Sequence, residues 1–180
     1  MNLQGLQPVL LSERLLLRPL TLHDAPAIQT MAAAKQVAEM TANIPHPYPS
    51  GAAEQWIGQH MSAWQQGLQV DYGITLISSQ DVIGAIGLVF KNKAEAELGY
   101  WVGVDYWGYG YATEAAKRLV LFGFDEMNVN SIKARVLNRN PASGRVLLKS
   151  GFRYSQTVTG DCGSKHEPLD CYERRAKPTS

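Results

Sequence analysis

Two glycines separated by one residue mark the segment whose residue types and spacing are most informative about chemistry. Gly108-Tyr-Gly-Tyr-Ala112 follows a strand-like alternation and precedes a helix-like repeat of apolar residues. Glycines at a strand-to-helix turn expose successive backbone N–H groups, and the first turn of the helix adds unpaired donors and the positive end of its dipole. Because glycine has no Cβ, an anion can approach this backbone closely. The segment is therefore a candidate pyrophosphate site.

The same glycines have other interpretations. A tight connection between a strand and a helix needs glycines whether or not a ligand binds. A dinucleotide-binding fingerprint would place a third Gly or Ala where this chain has Thr113, and the segment lacks the Gly-Lys-Ser/Thr ending of a P-loop. The glycines alone therefore favour a ligand role and a structural role about equally.

A second informative pair is Asn140 and Ser143, at the start of a predicted helix. Side chains three residues apart at a helix start lie on one face of the helix. Asn at the N-cap, with Pro141 at the first helical position, is also what any helix start favours. The spacing leaves open whether the pair caps the helix or faces a ligand.

The elements that must position these groups alternate between strand and helix patterns. Val82 to Phe90 is almost wholly apolar, as expected of a strand covered on both faces. The predicted order is strand, helix, helix, three strands, helix, strand, helix and two strands, near residues 12–18, 25–31, 50–67, 72–77, 82–90, 97–104, 112–123, 132–136, 140–151, 152–158 and 169–174. This order predicts one mixed α/β domain spanning residues 1–180.

Composition excludes several classes of protein. The 180 residues are 45% hydrophobic and 18% charged, which is typical of a globular domain. The net charge of +1 gives no basic excess, so we expect no nucleic-acid partner. No run approaches the length of a membrane span, so we expect no membrane partner. Cys162 and Cys171 have no metal-ligand spacing and form no disulfide framework, which favours a reduced, cytoplasmic protein without a metal site.

The glycine segment, extended to Trp107-Gly-Tyr-Gly-Tyr-Ala-Thr-Glu-Ala115, resembles motif A of the GNAT superfamily of acetyl-CoA-dependent N-acetyltransferases. That motif is Gln/Arg-x-x-Gly-x-Gly/Ala, and Gly110 and Ala112 match its last two positions. Trp107 replaces the first Gln or Arg, a departure common in the RimJ/RimL-like branch. The departure costs little, because the motif binds phosphate mainly through backbone N–H groups. The resemblance implies that acetyl-CoA is bound by Trp107, Gly108, Tyr109, Gly110, Tyr111, Ala112 and Thr113.

The segment from Asn138 to Phe152 resembles motif B of the same branch, in which Asn-x-x-Ser, an apolar helix and Gly-Phe follow one another. The segments Leu15–Leu20 and Ile44–Pro49, with Asp24 between them, are also similar to this branch. The likeness covers about Leu11 to Tyr154. It implies a GNAT fold of the α/β (α+β) class, with a mixed central sheet of about seven strands and helices on both faces.

The resemblance also implies roles for residues outside motif A. In this family the strand before motif A splays from the next parallel strand, and the pantetheine arm of the cofactor enters between them. Backbone groups near Trp101, Val102 and Gly103 would bind that arm, and one N–H would stabilise the oxyanion; the alternative is that these are ordinary core-strand residues. Asn140 would bond the arm, and Ser143 would donate a proton to the leaving thiolate.

Transfer to an amine also needs a base, because free lysine and α-amines are largely charged at neutral pH. Glu97 is the candidate, since the matching strand carries a catalytic Glu in some GNAT members. The alternative is a strand-end carboxylate held in an ion pair, with Glu95 and Asp105 as weaker candidates for the base.

The implied function is transfer of acetyl from acetyl-CoA, as a co-substrate, to a primary amine of a protein N-terminus or a small molecule. The resemblance also allows a homodimer. The alternative is a non-catalytic acyl-CoA-binding or sensor module of the same fold. Finding Glu97 in an ion pair away from the thioester would favour that alternative.

Overall fold

A computed structural model describes residues 5–162 and 165–177, the side chains of 161, 162 and 165 excepted. Its centre is one eight-stranded mixed sheet with the strand order β1-β2-β3-β4-β5-β6-β8-β7. The strands are β1 (Leu10–Leu11), β2 (Leu15–Arg18), β3 (Gln69–Leu76), β4 (Val82–Phe90), β5 (Glu95–Val102), β6 (Ser131–Leu137), β7 (Arg153–Cys162) and β8 (Lys165–Arg175). Neighbouring strands are antiparallel except β5 and β6, which are parallel.

Helices pack on both faces of this sheet. They are α1 (Ala25–Ala32), α2 (Lys35–Met40), α3 (Ala52–Gln65), α4 (Tyr111–Asp125) and α5 (Pro141–Lys149). Two single turns of 3-10 helix, Leu22–Asp24 and Val104–Tyr106, precede α1 and α4. In the part of the chain that the structure describes, no helix is long and apolar enough to cross a membrane.

The apolar pattern of the strands explains which helices lie on which face. On one face, Tyr72, Leu88 and Leu98 pack in a single buried cluster with the apolar side of α4 and with Leu147 of α5. On the other face, a smaller cluster joins Ile28 of α1 and Ile57 of α3, with partly buried side chains packed against it. Strand β4 lies between these layers, which explains why its sequence is almost continuously apolar.

The elements differ from the sequence-based expectations in several places. Strand β7 ends at Cys162 and β8 begins at Lys165, so both extend into residues expected to form a loop between 158 and 169. The sheet has eight strands rather than about seven, because the two-residue strand Leu10–Leu11 is separate from Leu15–Arg18. Helix α2 was not expected, since its six residues follow Ala34, which offers no side-chain cap. Strand β5 ends at Val102, and Val104 begins a 3-10 turn.

Candidate active site

The parallel strands β5 and β6 separate halfway along their length. They pair only where residues 95–97 meet residues 131–133. Beyond that point β5 stays paired with β4 as far as Val102, and β6 stays paired with β8 as far as Leu137. The splay expected between these strands is therefore present, and it opens a split in the middle of the sheet.

Backbone groups of β5 face this split in an alternating pattern. The N–H of Gly103 donates to the carbonyl of Ile83 at 2.8 Å, so Gly103 points towards β4. Antiparallel pairing repeats every two residues, so Trp101 also points its backbone towards β4, while Tyr100 and Val102 point towards the split. The carbonyl of Val102 accepts the indole N–H of Trp107 at 2.7 Å. Of the three backbone positions proposed from the sequence, only Val102 therefore faces the split. Because its carbonyl accepts the Trp107 indole, its N–H is the group that can bond a ligand there.

The glycine segment connects β5 to α4 through two left-handed residues. Gly108 has φ +85° and Gly110 has φ +82°, a region that side chains with a Cβ rarely adopt. Gly110 is the N-cap of α4, so no side chain caps the first N–H groups of the helix. A Cβ on Gly108 would meet nothing within 4 Å. The segment thus presents open backbone and a helix N-terminus, as an anion site requires.

The side chain of Arg14 holds the glycine segment in place. The guanidinium of Arg14 bonds a carboxylate oxygen of Glu114 at 2.8 Å and the carbonyl of Tyr109 at 3.0 Å, and it lies 4.7 Å from the centre of the Tyr111 ring. Burial acts to raise the pKa of Glu114, but hydrogen bonds from the Arg14 backbone, Ser12 and the Arg14 side chain outweigh it and lower that pKa. Glu114 therefore connects the first turn of α4 to the residues just before β2.

A cavity of about 450 Å³, here named the glycine-loop cavity, runs from this segment to the split. Its wall also contains the cationic side chains of Arg139, Arg145 and Lys149. It is lined by these residues proposed from the sequence: Trp101, Val102, Trp107, Gly108, Gly110, Tyr111, Ala112, Thr113, Asn140 and Ser143. Gly103 and Tyr109 do not line it; Gly103 packs against Met31, where an added Cβ would come within 2.7 Å of the sulfur.

Ser143 lies at the inner end of the glycine-loop cavity. Its hydroxyl is 2.7 Å from the hydroxyl of Tyr100, which is also 3.1 Å from the carbonyl of Ser143. Burial raises the pKa of Tyr100 well above its usual range, so its proton is retained. Two hydroxyl groups, one from β5 and one from α5, therefore meet where the strands separate.

Asn140 is used as a helix cap. Its side-chain oxygen accepts the N–H of Ser143 at 3.2 Å, and its amide donates to the carbonyl of Met40 at the end of α2, also at 3.2 Å. The capping interpretation is confirmed. A bond from Asn140 to a pantetheine arm stays a prediction.

A second cavity of similar volume, about 450 Å³, opens on the α3 side of the sheet; we name it the α3-side cavity. Asp71 of β3, Trp56 and Gln59 of α3, and the glycines at 87 and 99 are part of its wall. The two cavities share the lining residues Met40, Thr41, Tyr100, Trp101 and Ser143. They therefore meet at the split, next to the paired hydroxyl groups.

Glu97 lines neither cavity. Its two oxygens are 2.8 Å from the guanidinium of Arg135 and 3.0 Å from the ammonium of Lys91. Burial acts to raise the pKa of Glu97, but the hydrogen bonds and charges of Arg135 and Lys91 outweigh it and lower that pKa. A carboxylate held in this way is a weak base. The base role stays untested, and these contacts favour the ion-pair alternative.

The two weaker candidates for the base also lie away from the split. Glu95 forms an ion pair with Lys133 at 3.1 Å, and Asp105 is exposed in the 3-10 turn after β5. Neither lines a cavity.

The sequence did not single out several residues of this site. The alternation of β5 places Tyr100 on the core-facing side, but its contact with Ser143 joins positions 43 residues apart. Trp56 packs against the smaller buried cluster and also lines the α3-side cavity. Asp71 and Arg14 lie in segments with no motif, so only the fold reveals their positions.

Comparison with known proteins gives the family from the sequence and the same fold from the structure. Residues 14–153 match the model of the acetyltransferase (GNAT) domain. The uncharacterized N-acetyltransferase YoaA of Bacillus subtilis is 30% identical over 148 residues, which cover 81% of this chain and 83% of that protein.

Two solved structures share the fold. A GNAT-family acetyltransferase from Bacillus anthracis superimposes with a TM-score of 0.82 at 22% identity, covering 93% of this chain and 98% of the other. RimL, a ribosomal L7/L12 alpha-N-protein acetyltransferase in complex with coenzyme A, gives a TM-score of 0.80 at 18% identity with the same coverage. The chain belongs to the GNAT family of acetyltransferases.

Proposed function

We propose that this protein transfers the acetyl group of acetyl-CoA to a primary amine at the split between β5 and β6. The observation that carries the proposal is the meeting of the two cavities at Tyr100, Trp101 and Ser143. A direct transfer needs two substrates that approach one point from different sides. The glycine-loop cavity suits the donor and the α3-side cavity suits the acceptor.

The glycine-loop cavity has the chemistry that acetyl-CoA requires. The left-handed glycines and the N-terminus of α4 offer backbone N–H groups to a pyrophosphate. Arg145 and Lys149 add positive charge along the same wall, whereas the charge of Arg139 is compensated by Glu167 at 2.7 Å. The N–H of Val102 faces the split and is available to a pantetheine arm, and a fold neighbour binds coenzyme A.

The paired hydroxyl groups supply a proton to the departing thiolate. Ser143 is the proposed donor, and burial raises the pKa of Tyr100, so the Tyr100 hydroxyl keeps its proton. When the Ser143 proton moves to sulfur, the Tyr100 hydroxyl stabilises the Ser143 oxygen by donating a hydrogen bond to it, and the proton released by the acetylated nitrogen restores the Ser143 hydroxyl. Both hydroxyls are therefore protonated at the start and at the end of the transfer.

The acceptor is an amine of a protein N-terminus or of a small molecule, in the manner of the RimJ/RimL-like branch. The N-acetyltransferase relative and the RimL fold neighbour support an amine acceptor. The segment from Met40 to Ile44 lines the α3-side cavity and is partly exposed, which suits a small amine or the end of a peptide.

The proposal is tested by incubating the protein with acetyl-CoA and a panel of amines, with products identified by mass spectrometry. The panel contains peptides with free N-termini, polyamines, aminoglycosides and small monoamines. Calorimetry with acetyl-CoA measures donor binding separately. Acetylation of at least one amine, together with donor binding, is expected.

A second candidate is a non-catalytic acyl-CoA-binding module. The ion pairs of Glu97 favour it, because they remove the carboxylate first expected to act as the base. The same experiment separates the two functions. Acetyl-CoA binding without acetylation of any amine in the panel supports the binding module.

A further inference from the structure

One row of residues crosses the α3 side of the sheet and ends at a buried carboxylate. Asp71 of β3 pairs with Gly87 of β4, which pairs with Gly99 of β5. Residues directly opposite each other in antiparallel strands point to the same face of the sheet. The Asp71 side chain therefore lies on the face of the sheet where Gly87 and Gly99, which have no side chains, leave space.

The carboxylate leans along this row towards the split. A Cβ placed on Gly87 would lie 2.6 Å from Oδ1 of Asp71, so the carboxylate occupies the space above that glycine. A Cβ placed on Gly99 would meet nothing within 4 Å. Neighbouring strands are roughly 4.8 Å apart, so a group bound above Gly99 lies within reach of the Asp71 carboxylate.

Asp71 has no full counter-ion among the residues that the structure describes. Its side chain is only 14% exposed, and its neighbours are the amide of Gln69 and the ring of His60, whose Nε2 is 3.9 Å from Oδ2. Burial lowers the pKa of His60 against the opposing charge of Asp71, so the ring is mainly neutral at pH 7. Burial likewise raises the pKa of Asp71.

His60 lies next to Asp71 and does not line the cavity. Both of its ring nitrogens are buried without a hydrogen-bond partner in the described part of the chain, and Trp56 packs edge-on against the ring at 4.4 Å. The other charged group in the wall of the cavity is Arg135 of β6, which is paired with Glu97. A buried carboxylate without a cation is costly, and the open side of Asp71 faces the cavity.

We infer that Asp71 binds the ammonium group of the acceptor and accepts its proton, so that the acceptor is a cationic amine. This inference rests on the proposed function. An N–H bond of the ammonium breaks, its electron pair stays on nitrogen and the proton passes to Oδ of Asp71. The neutral amine then bonds to the acetyl carbon, the C–S bond breaks, and the thiolate takes a proton from the Ser143 hydroxyl. The second proton of the acetylated nitrogen passes to the Ser143 oxygen, which restores that hydroxyl and leaves a neutral amide.

The experiment compares Asp71→Asn with wild type on two small amines, ethylamine and trifluoroethylamine. Ethylamine is an ammonium ion at pH 7, whereas trifluoroethylamine is mainly neutral. Asp71→Asn is expected to lower kcat/KM for ethylamine by about 100-fold or more, the lower end of general-base contributions. The loss for trifluoroethylamine is expected to stay within about threefold, because this amine needs neither the counter-ion nor the base.

Two further measurements exclude a structural explanation. Asp71→Asn removes an uncompensated buried charge, so its melting temperature is expected to equal or exceed that of wild type. Its affinity for acetyl-CoA, measured by calorimetry, is expected to be unchanged. Asp81→Asn is the matched control: it removes an exposed carboxylate from the β3–β4 turn and should leave both amines unaffected.

Several outcomes overturn the inference. They are equal losses on both amines, no loss on either, a variant that melts far below wild type or fails to fold, and a wild-type protein that acetylates other amines but neither of these two. In each case acetylation of the panel by wild type still stands. Failure of the proposed function is different, because wild type then acetylates nothing or does not bind acetyl-CoA.

Discussion

Replacement of Ser143 by alanine tests whether this hydroxyl has a chemical role. The substitution removes the 2.7 Å bond to Tyr100 and leaves the helix cap intact, because that cap uses the backbone N–H of Ser143. The Tyr100 hydroxyl keeps the Ser143 carbonyl at 3.1 Å, so it is not left without a partner. We therefore expect a small cost in stability and a large cost in rate.

The expected losses of stability and of rate follow from the loss of one hydrogen bond and one general acid. One neutral hydrogen bond contributes about 0.5–1.5 kcal/mol to the free energy of unfolding. For a chain of this length, that corresponds to a fall in melting temperature of roughly 1–6 °C. Loss of a general acid costs about 10²–10⁴-fold in kcat, and the lower end is expected here because water can enter the open split. KM for acetyl-CoA should change by less than about threefold, since the acid acts in the transition state.

The assay follows thiol release from acetyl-CoA with the best amine of the panel, alongside thermal melts. Tyr100→Phe and the double variant complete a cycle: if the two hydroxyls act as one unit, the double variant loses no more rate than the worse single variant. Ser131→Ala is the control, because it removes a buried serine hydroxyl bonded to Glu173 at 2.7 Å, at the far end of β6. Turnover of Ser143→Ala within about twofold of wild type would refute the acid role.

Two further predictions concern the glycine segment and the base first expected from the sequence. Gly110→Val should weaken acetyl-CoA binding by about tenfold, or 1.4 kcal/mol, in calorimetry. Gly51→Val is the control, because Gly51 is also a left-handed N-cap, that of α3, and it should leave acetyl-CoA binding unchanged. Equal losses of affinity in the two variants would indicate backbone strain alone. Glu97→Gln should lower the melting temperature at neutral pH and keep the wild-type pH profile of kcat. Because the folded-state pKa of Glu97 is lowered by Arg135 and Lys91, its stabilisation exists above the unfolded pKa and disappears as pH falls through the folded one. The melts of the two proteins should therefore converge in acid, and a rate loss that shrinks as pH rises would restore Glu97 as the base.

The parts of the fold that the sequence predicts are those with a local cause. The apolar run of β4, the alternation of β5 and the glycines before α4 each follow from residue types that are adjacent in the chain. The six-residue helix α2 and the two-residue strand β1 are too short for a periodic pattern, and both were missed. Local patterns fix elements only when enough residues repeat them.

The candidate site divides in the same way. Backbone sites such as Gly108 and Gly110 are predictable, because glycine is strongly favoured where φ is positive. Side-chain pairs between distant segments are not, since the contact of Tyr100 with Ser143 depends on how β5 and α5 pack. Glu97 is the opposite case. Its residue type suits a base, but the pairing of β5 with β6 brings Arg135 into hydrogen-bond contact with its carboxylate.

The two cavities that meet at the split carry charges of opposite sign, and this arrangement affects turnover as well as binding. Arg145 and Lys149 lie along the glycine-loop cavity, where an anionic donor is proposed, and Asp71 lies in the α3-side cavity, where a cationic acceptor is inferred. Acetylation converts the ammonium into a neutral amide, which no longer attracts a carboxylate. If Asp71 holds the substrate by its charge, the reaction itself removes that attraction. The acetylated product should therefore bind less tightly than the amine, and the same carboxylate that favours acceptor binding does not oppose product release.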